Sequence, residues 1–484
     1  MIQFMSCKNY LLLIGIFSTV TMSYNDPEFV TRIGEFEKDM FKCFKNHNQY
    51  FGIKEDKSLK LSFDNLAKEF KSFHQIFKFI NDTIEEEAND KYKNEKTPVE
   101  LGEKLYKYAV WIYLLGSDNN GVKYHNFCHG MFVAYITYEF LNDKKALNQI
   151  NPKLNKGQKA MYVFAGLFHD AGHPGMGNTI YTLDKKHRNK MIDYVVKKCT
   201  TFFNGPNNTK RDEVETFIKY IKRTENDSGP FFLENMHREL ALMIYRRAIH
   251  PRLQPHTMTA PSLREKDRQT FTTKHNSNYE EIISESIDRT NMQFSSQSNE
   301  ENVLFQLNHA ADLALNGMED KNLVFLGIEK VYNEFLTEIY HMRNLEGENG
   351  GKIREFINAE VGDTDNLPLA AKKFVPVAMP KSIEELISGQ AGFSRGVILP
   401  VINKFNSYKA DIFHYIKTNL DVNIDIFEKK AAENVNNLGT INADAISNVK
   451  EGNPCNAIVS ELPYYPSTNN NSPSTGLRVR LLLI

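Results

Sequence analysis

Four short segments scattered along this chain each carry histidine and carboxylate at the spacing of metal ligands: YHNFCHG at 124–130, HDAGHPGMGN at 169–178, LENMH at 233–237 and HAADL at 309–313. One histidine-aspartate pair arises easily by chance. A set that offers His129, His169, Asp170 and Asp312 as one shell, with His125 and His173 left over, restricts the fold, because distant segments must meet at one point. Imidazole nitrogen and carboxylate oxygen suit zinc with an open, water-bearing position, or a mixed zinc and magnesium pair. Two such ions, bridged by a carboxylate and a hydroxide, form a clamp for in-line attack on phosphorus. Asp170 and Asp312 are the candidates for contact with both.

The scaffold reads as all-α. Over 30–44 the apolar residues Ile33, Phe36, Met40, Phe41 and Phe44 recur at three- and four-residue spacing, which predicts an amphipathic helix. The runs 101–115, 131–141 and 159–168 repeat the pattern, and it returns at 383–386 and 397–427. Strand signals are almost absent: there is no clean alternation and no Asn-Gly or Asp-Gly hairpin between alternating runs. The stretches 204–229, 254–278 and 346–367 are polar with little periodicity and read as surface insertions. Beyond about 431 the chain is rich in Asn, Ser and Pro, the composition of a disordered tail. There is no internal repeat. The expected organisation is a hydrophobic segment at 1–23, a helical segment at 24–62, one catalytic domain over 63–430 and the tail at 431–484.

At 484 residues and a net charge of −1 the chain can bury a large core, and it lacks the charge excess of a nucleic-acid or anionic-membrane binder. An anionic substrate would be held by local charge, which metal ions can supply. Cys7, Cys43, Cys128, Cys199 and Cys455 are far apart, odd in number and in no metal-type spacing, so reduced thiols are the expectation. The apolar run from Tyr10 to Met22 is too short to span a bilayer comfortably. It has the length of a signal-peptide core, with Thr21-Met22-Ser23 as a passable cleavage site; a stray hydrophobic N-terminus is the alternative. The expectation is therefore a cytoplasmic protein, with secretion or membrane association kept open by that segment. Sequons stand at Asn81, Asn207 and Asn226, and such triplets arise by chance in an Asn-rich chain.

Taken singly, each motif has an ordinary reading. His125 and His129, four apart, would share a face of a helix, and two plain core or surface histidines fit that too. The apolar helix 159–168 delivers His169 and Asp170 at its end, where a charged pair is costly unless paired or metal-bound; an Asp capping the next turn is the alternative. Glu234 and His237, three apart, could be a solvated pair. The small residues around Asp312 suit a crowded ligand helix or plain tight packing.

Together with SGQAGF at 388–393, the order and context of these motifs resemble the catalytic domain of class I 3′,5′-cyclic nucleotide phosphodiesterases, within the HD-type metal-dependent phosphohydrolases. The resemblance runs from about Phe63 to Phe427. It implies an all-helical domain with a zinc and a magnesium (or manganese) at the base of a pocket, hydrolysing a small-molecule cyclic nucleotide, cyclic AMP or cyclic GMP, in signal transduction. It implies that His129, His169, Asp170 and Asp312 bind zinc, with Asp170 shared by the second metal, and that a hydroxide bridging the metals attacks. His125 would protonate the departing 3′ oxygen. His173, Glu234 and Thr290 would hold metal-bound waters, with His237 supporting Glu234. Tyr124, Gln390 and Phe393 would contact substrate, Gln390 by reading the purine edge and Phe393 by stacking on the base.

The chain departs from the family's pattern in several places. Ala171 and Gly172 stand where a larger aliphatic and a polar residue are usual, Asn291 where an acidic residue is frequent, and Leu315 where an asparagine is common, with Asn316 next to it. None removes a metal ligand. Another HD-type phosphohydrolase, such as a nucleotidase, and a degenerate binding or scaffold protein remain the alternatives.

Overall fold

The computed structural model describes residues 26–54, 58–91, 101–115, 122–150, 153–175, 185–204, 232–253, 278–290, 300–343 and 383–434. The apolar run at 10–22, nearly all of the three polar stretches, Asn291 and the sequons at Asn207 and Asn226 lie outside them, as does the expected tail except for its first four residues, 431–434, which are helical. Among the described residues there is no strand; one isolated antiparallel bridge joins Ile53 and Leu59. The expected all-α class is what the chain adopts.

Helix α1 (Pro27–Tyr50) begins where Asp26 accepts the backbone N–H of Glu28 and Pro27 fills the first turn. Its predicted apolar stripe is buried at Ile33, Phe36, Met40 and Phe44, while Phe41 sits half-buried at the edge. After the short α2 (Phe63–Glu69) come α3 (Lys71–Lys91) and α4 (Leu101–Leu114). Asn81, the one sequon among the described residues, is half-buried on α3 and accepts the N–H of Gly102.

Helices α5 (Phe127–Asn142) and α6 (Lys156–Phe168) are apolar on nearly every side and form the centre of the molecule, packed against each other and on α3. Their approach depends on Gly130. A Cβ there would lie 2.6 Å from both the Leu167 carbonyl oxygen and the Tyr113 hydroxyl, and that hydroxyl donates to the same carbonyl at 2.8 Å. Helices α7 (Lys185–Asn204), α8 (Phe232–Ala248) and α9 (278–290) follow. Next, α10 (Leu307–Asp312) packs on α5 and runs into a 3-10 turn at Leu313–Gly317. The remainder is α11 (Lys321–Arg343), α12 (Ile383–Phe393), α13 (Leu399–Asn406) and α14 (Asp411–Asn434), with a π-type turn at Ser394–Ile398 between α12 and α13. Helix α14 lies along α12 and the 3-10 turn. No helix among the described residues is long and apolar enough to cross a membrane.

The expectation of reduced thiols needs correction at one pair. Cys43 of α1 and Cys128 of α5 form a disulfide across a sequence separation of 85, with both residues fully buried. Only the packing of α1 against α5 brings them together, which the spacing of cysteines cannot reveal. Cys199 is free and buried. Reduction under denaturing conditions should raise the titratable thiol count by two. Replacing both Cys43 and Cys128 by alanine should lower stability by about 2–4 kcal/mol in urea denaturation, the usual worth of such a cross-link.

Candidate metal centre and active site

Helix α5 starts at Phe127 because Asn126 caps it: the Asn126 Oδ1 accepts the N–H of Cys128 at 2.8 Å, and its Nδ2 donates to the Val122 and Lys123 carbonyls. His125 therefore precedes the helix and does not share a helical face with His129, contrary to the four-residue spacing argument. The two rings still meet, edge to face at 5.5 Å, because the cap folds the 122–126 segment back. His129 lies in the first turn of α5 and is fully buried.

Helix α6 ends at His169, whose Nδ1 donates to the Gly166 carbonyl at 2.8 Å and so leaves Nε2 facing inward. Asp170 follows, and Gly172 at φ +78° turns the chain. A Cβ on Gly172 would also fall 2.6 Å from Leu240 Cδ1, so a glycine here has a structural reason. Past it, the Gly175 N–H donates to His173 Nδ1 at 3.1 Å, which puts the proton of neutral His173 on Nε2. Helix α10 supplies Asp312 from the opposite side.

His129, His169 and Asp170 bring ligand atoms within 4.8 Å of one another, and Asp312 lies against both imidazoles. His129 Nε2 lies 2.9 Å from Asp312 Oδ1 and 3.4 Å from Asp170 Oδ2; His169 Nε2 lies 3.1 Å from Asp170 Oδ2 and 3.9 Å from Asp312 Oδ1. Yet both Nε2 atoms and Asp170 Oδ2 are buried without a properly aligned hydrogen-bond partner. Atoms that crowd to these distances without bonding one another point at a common centre. Ligands about 2.0–2.1 Å from a tetrahedral ion stand about 3.4 Å apart, so the residues present fit a divalent cation of the zinc type.

A second cluster, His125, His173 and Glu334, brings one ligand atom from each within 4.8 Å of the others. This one is hydrogen-bonded. The Glu334 carboxylate takes His125 Nδ1 at 2.5 Å and the backbone N–H groups of Tyr124 and His125 at 2.6 and 3.1 Å. With His173 Nδ1 engaged by Gly175, the cluster is a device for holding His125. The His125 ring stacks on His173 at 4.1 Å, and His173 in turn on His237 at 5.7 Å.

Many solved structures are similar to this chain, among them two phosphodiesterase domains. One is the phosphodiesterase domain of a rhodopsin–phosphodiesterase fusion protein from the choanoflagellate Salpingoeca rosetta, 16% identical, covering 75% of this chain and 92% of that one, with a TM-score of 0.41. The other is also the phosphodiesterase domain of Salpingoeca rosetta rhodopsin phosphodiesterase, 17% identical over 75% of this chain and 89% of that one, with a TM-score of 0.38. No family model and no curated protein matches the sequence.

The remaining expected residues are placed as follows. Tyr124 is buried between Phe44, stacked at 5.7 Å, and the His129 ring at 4.6 Å. His237 donates from Nδ1 to the Ala171 carbonyl at 2.6 Å, not to Glu234. Glu234 has one buried oxygen, Oε2, without a hydrogen-bond partner. Thr290, buried at the end of α9, donates its hydroxyl to Ser286, and its carbonyl accepts His309 Nδ1. Gln390 and Phe393 stand three apart on α12, hence on one face. Gln390 Oε1 accepts Asn316 Nδ2 at 2.9 Å, a nitrogen that also lies 3.2 Å from the Ser394 hydroxyl.

Two residues of the site escaped the sequence reading. Glu334 sits in the helical stretch IEKVYNEF of α11, where nothing local distinguishes it from a surface carboxylate. Asn316 was noted only as the neighbour of Leu315; the 3-10 winding after Asp312 presents it to Gln390.

The electrostatics follow from burial and proximity. Burial opposes the charge of both carboxylates, but the facing imidazoles reverse this and hold Asp170 well below, and Asp312 below, the usual range. Burial lowers His129, with Asp312 opposing. His169 also loses by burial, but Asp170 raises it to about 8. For His125 burial again opposes the charge, and Glu334, backed by Asp170 and Asp312, lifts it to about 9. Burial lowers His173 far below and His237 to about 4, and raises Glu234 to about 8.

A metal takes the neutral imidazole, so if these residues bind zinc the His169 proton must leave. At pH 7 binding should release close to one proton, falling to none well above pH 8. Affinity should drop about tenfold per pH unit below that value. Calorimetry in buffers of different ionisation heat measures both. In the same fold, Gly172→Ala should cost about 1–2 kcal/mol for the left-handed backbone alone, read by urea denaturation.

Proposed function

We propose that the chain is a metal-dependent phosphoric diester hydrolase that opens the 3′,5′-cyclic phosphodiester of a cyclic nucleotide, cyclic AMP or cyclic GMP, to the 5′-monophosphate. The observation that carries this reading is the convergence of His129, His169, Asp170 and Asp312 on one point beside a carboxylate-held His125. His129, His169, Asp170 and Asp312 would hold zinc, and Asp170 would share a magnesium or manganese ion. Bound divalent ions would supply positive charge against the phosphate and acidify water at neutral pH.

The chain's own groups do the rest. Glu334 fixes the His125 ring through Nδ1, so the second ring proton, on Nε2, is the one available to a leaving oxygen. Its elevated pKa keeps His125 protonated at neutral pH, as a general acid requires. Cations held at the neighbouring carboxylates would offset part of that elevation, while the direct Glu334 contact would remain. Stacking on His173 holds the ring against tilting. Gln390, tethered by Asn316, and Phe393, on the same face of α12, are suited to an amide contact and a stack with the base. His173, Glu234 and Thr290 would orient water near the ions, and His237 supports His173 through its stack.

Purified full-length protein should hydrolyse cyclic AMP or cyclic GMP, lose that turnover to a chelator and regain it with zinc and magnesium or manganese. A folded, zinc-loaded protein inert on both nucleotides would sink the reading in favour of another phosphoester or a scaffold role. His129→Ala and Asp312→Asn should lose metal and turnover together. His125→Ala should keep the metal while turnover falls about a hundredfold or more. Glu334→Gln should also keep the metal and shift the alkaline limb of the pH–rate profile to lower pH, because the carboxylate that raises the pKa of the general acid His125 is gone.

A further inference from the structure

The three helices that deliver the metal ligands meet again deeper in the core, at a single amide. Asn308, on α10 one turn before Asp312, is fully buried. Its Oδ1 accepts the hydroxyl of Thr137 at 2.8 Å, and its Nδ2 donates to the Tyr162 carbonyl at 3.2 Å. Thr137 is itself fully buried on α5, about two turns beyond His129. Tyr162 lies on α6, about two turns before His169. One side chain thus ties the helix of His129 to the helix that ends at His169 and Asp170, from the helix that carries Asp312.

We propose that Asn308 is a positioning residue that sets the relative placement of the three ligand helices and thereby the geometry and affinity of the metal centre. The inference rests on the metal reading given above. The surroundings explain why an amide is used. Apolar side chains fill this part of α5, α6 and α10, including Val133, Ile136, Phe164, Leu307 and Ala311. Dispersion contacts among them tolerate small slides and rotations, whereas hydrogen bonds are directional and fail over a few tenths of an ångström. The Tyr162 carbonyl can only accept, so the amide has one orientation, with Oδ1 turned to Thr137. Ligands on separate helices gain from such fixing, because metal sites need their donors held within about half an ångström of the working geometry. The amide is also the wrong choice for a plain filler. A leucine would occupy similar space without the need to satisfy three polar groups.

The test uses full-length protein and two metals, zinc and cobalt(II), without substrate. The pair Asn308→Leu with Thr137→Val removes both side-chain partners and leaves no orphaned hydroxyl. We expect this double variant to keep its helix content and unfold cooperatively, to bind zinc at least tenfold more weakly in competition with a chromophoric chelator, and to change the intensity of the cobalt absorption bands. Thr137→Ser, which keeps the donor, should stay within about twofold of the wild type on both readouts. If the double variant does not fold, Thr137→Val alone cuts the tie to α5 and is read the same way. A folded variant that lacks the tie yet binds zinc within twofold of the wild type, with an unchanged cobalt spectrum, overturns the proposal. A wild type that binds neither metal overturns the metal reading itself, and the inference with it.

Discussion

Two carboxylates and two imidazoles pressed together inside an apolar core are the constraint on which the rest of this structure depends. Removing an ionised carboxylate from water is costly, and it is offset only where opposite charge or well-placed donors replace the lost hydration. At His129, His169, Asp170 and Asp312 the mutual attraction of the groups supplies part of that, as the lowered carboxyl pKa values record. Bonding does not supply the remainder, since both Nε2 atoms and Asp170 Oδ2 lack an aligned partner. A divalent cation at the common centre would satisfy all of them at once. Among the buried side chains of α5 and α6 its charge would be screened less than in bulk water.

The surrounding architecture makes that crowding tolerable. Helices α5 and α6 can come close because Gly130 presents no side chain to the Leu167 carbonyl. The Asn126 cap bends the preceding segment so that the His125 ring meets that of His129. Glu334, from the distant α11, then accepts from the His125 ring and from two backbone N–H groups, which fixes both the ring and the bend. At the other end of α11, the buried Glu37 of α1 accepts the N–H groups of Glu319 and Asp320 and the hydroxyl of Tyr415. The carboxylate partner of His125 is therefore carried on a helix whose entrance is itself anchored to α1 and α14. The Cys43–Cys128 bond ties α1 to the residue next to His129. Separate long-range contacts thus converge on one small volume.

The parts of the site that were legible in the sequence are those whose chemistry is carried by residue type. Histidine and aspartate at ligand spacing are informative because few structural roles call for them inside apolar helices, and the stretch that ends at His169 and Asp170 shows this. The parts that were not legible depend on a partner far away in the chain. Glu334 is an ordinary helical carboxylate until α11 lies beside the Asn126 cap. Asn316 has no role until the turn at Leu313–Gly317 winds as 3-10, and that winding presents it, rather than Leu315, to Gln390. The shared helical face of His125 and His129 failed because a four-residue spacing carries its meaning only inside a helix. Here the helix starts between the two residues.

By itself, then, the sequence determined the all-α class and the stripe of α1, because amphipathic periodicity is local and the hydrophobic effect acts on each helix in the same way. It also supplied the candidate donor groups, since donor atoms are a property of the side chains themselves. Tertiary structure alone decided the rest: the pairing of Cys43 with Cys128, the Glu334 hold on His125, the Asn308 tie among three helices, and the close approach that leaves His129 Nε2, His169 Nε2 and Asp170 Oδ2 without an aligned hydrogen-bond partner. Each of these is a distance between residues remote in sequence. Such distances are set by how whole helices pack, and no short window of sequence carries that information.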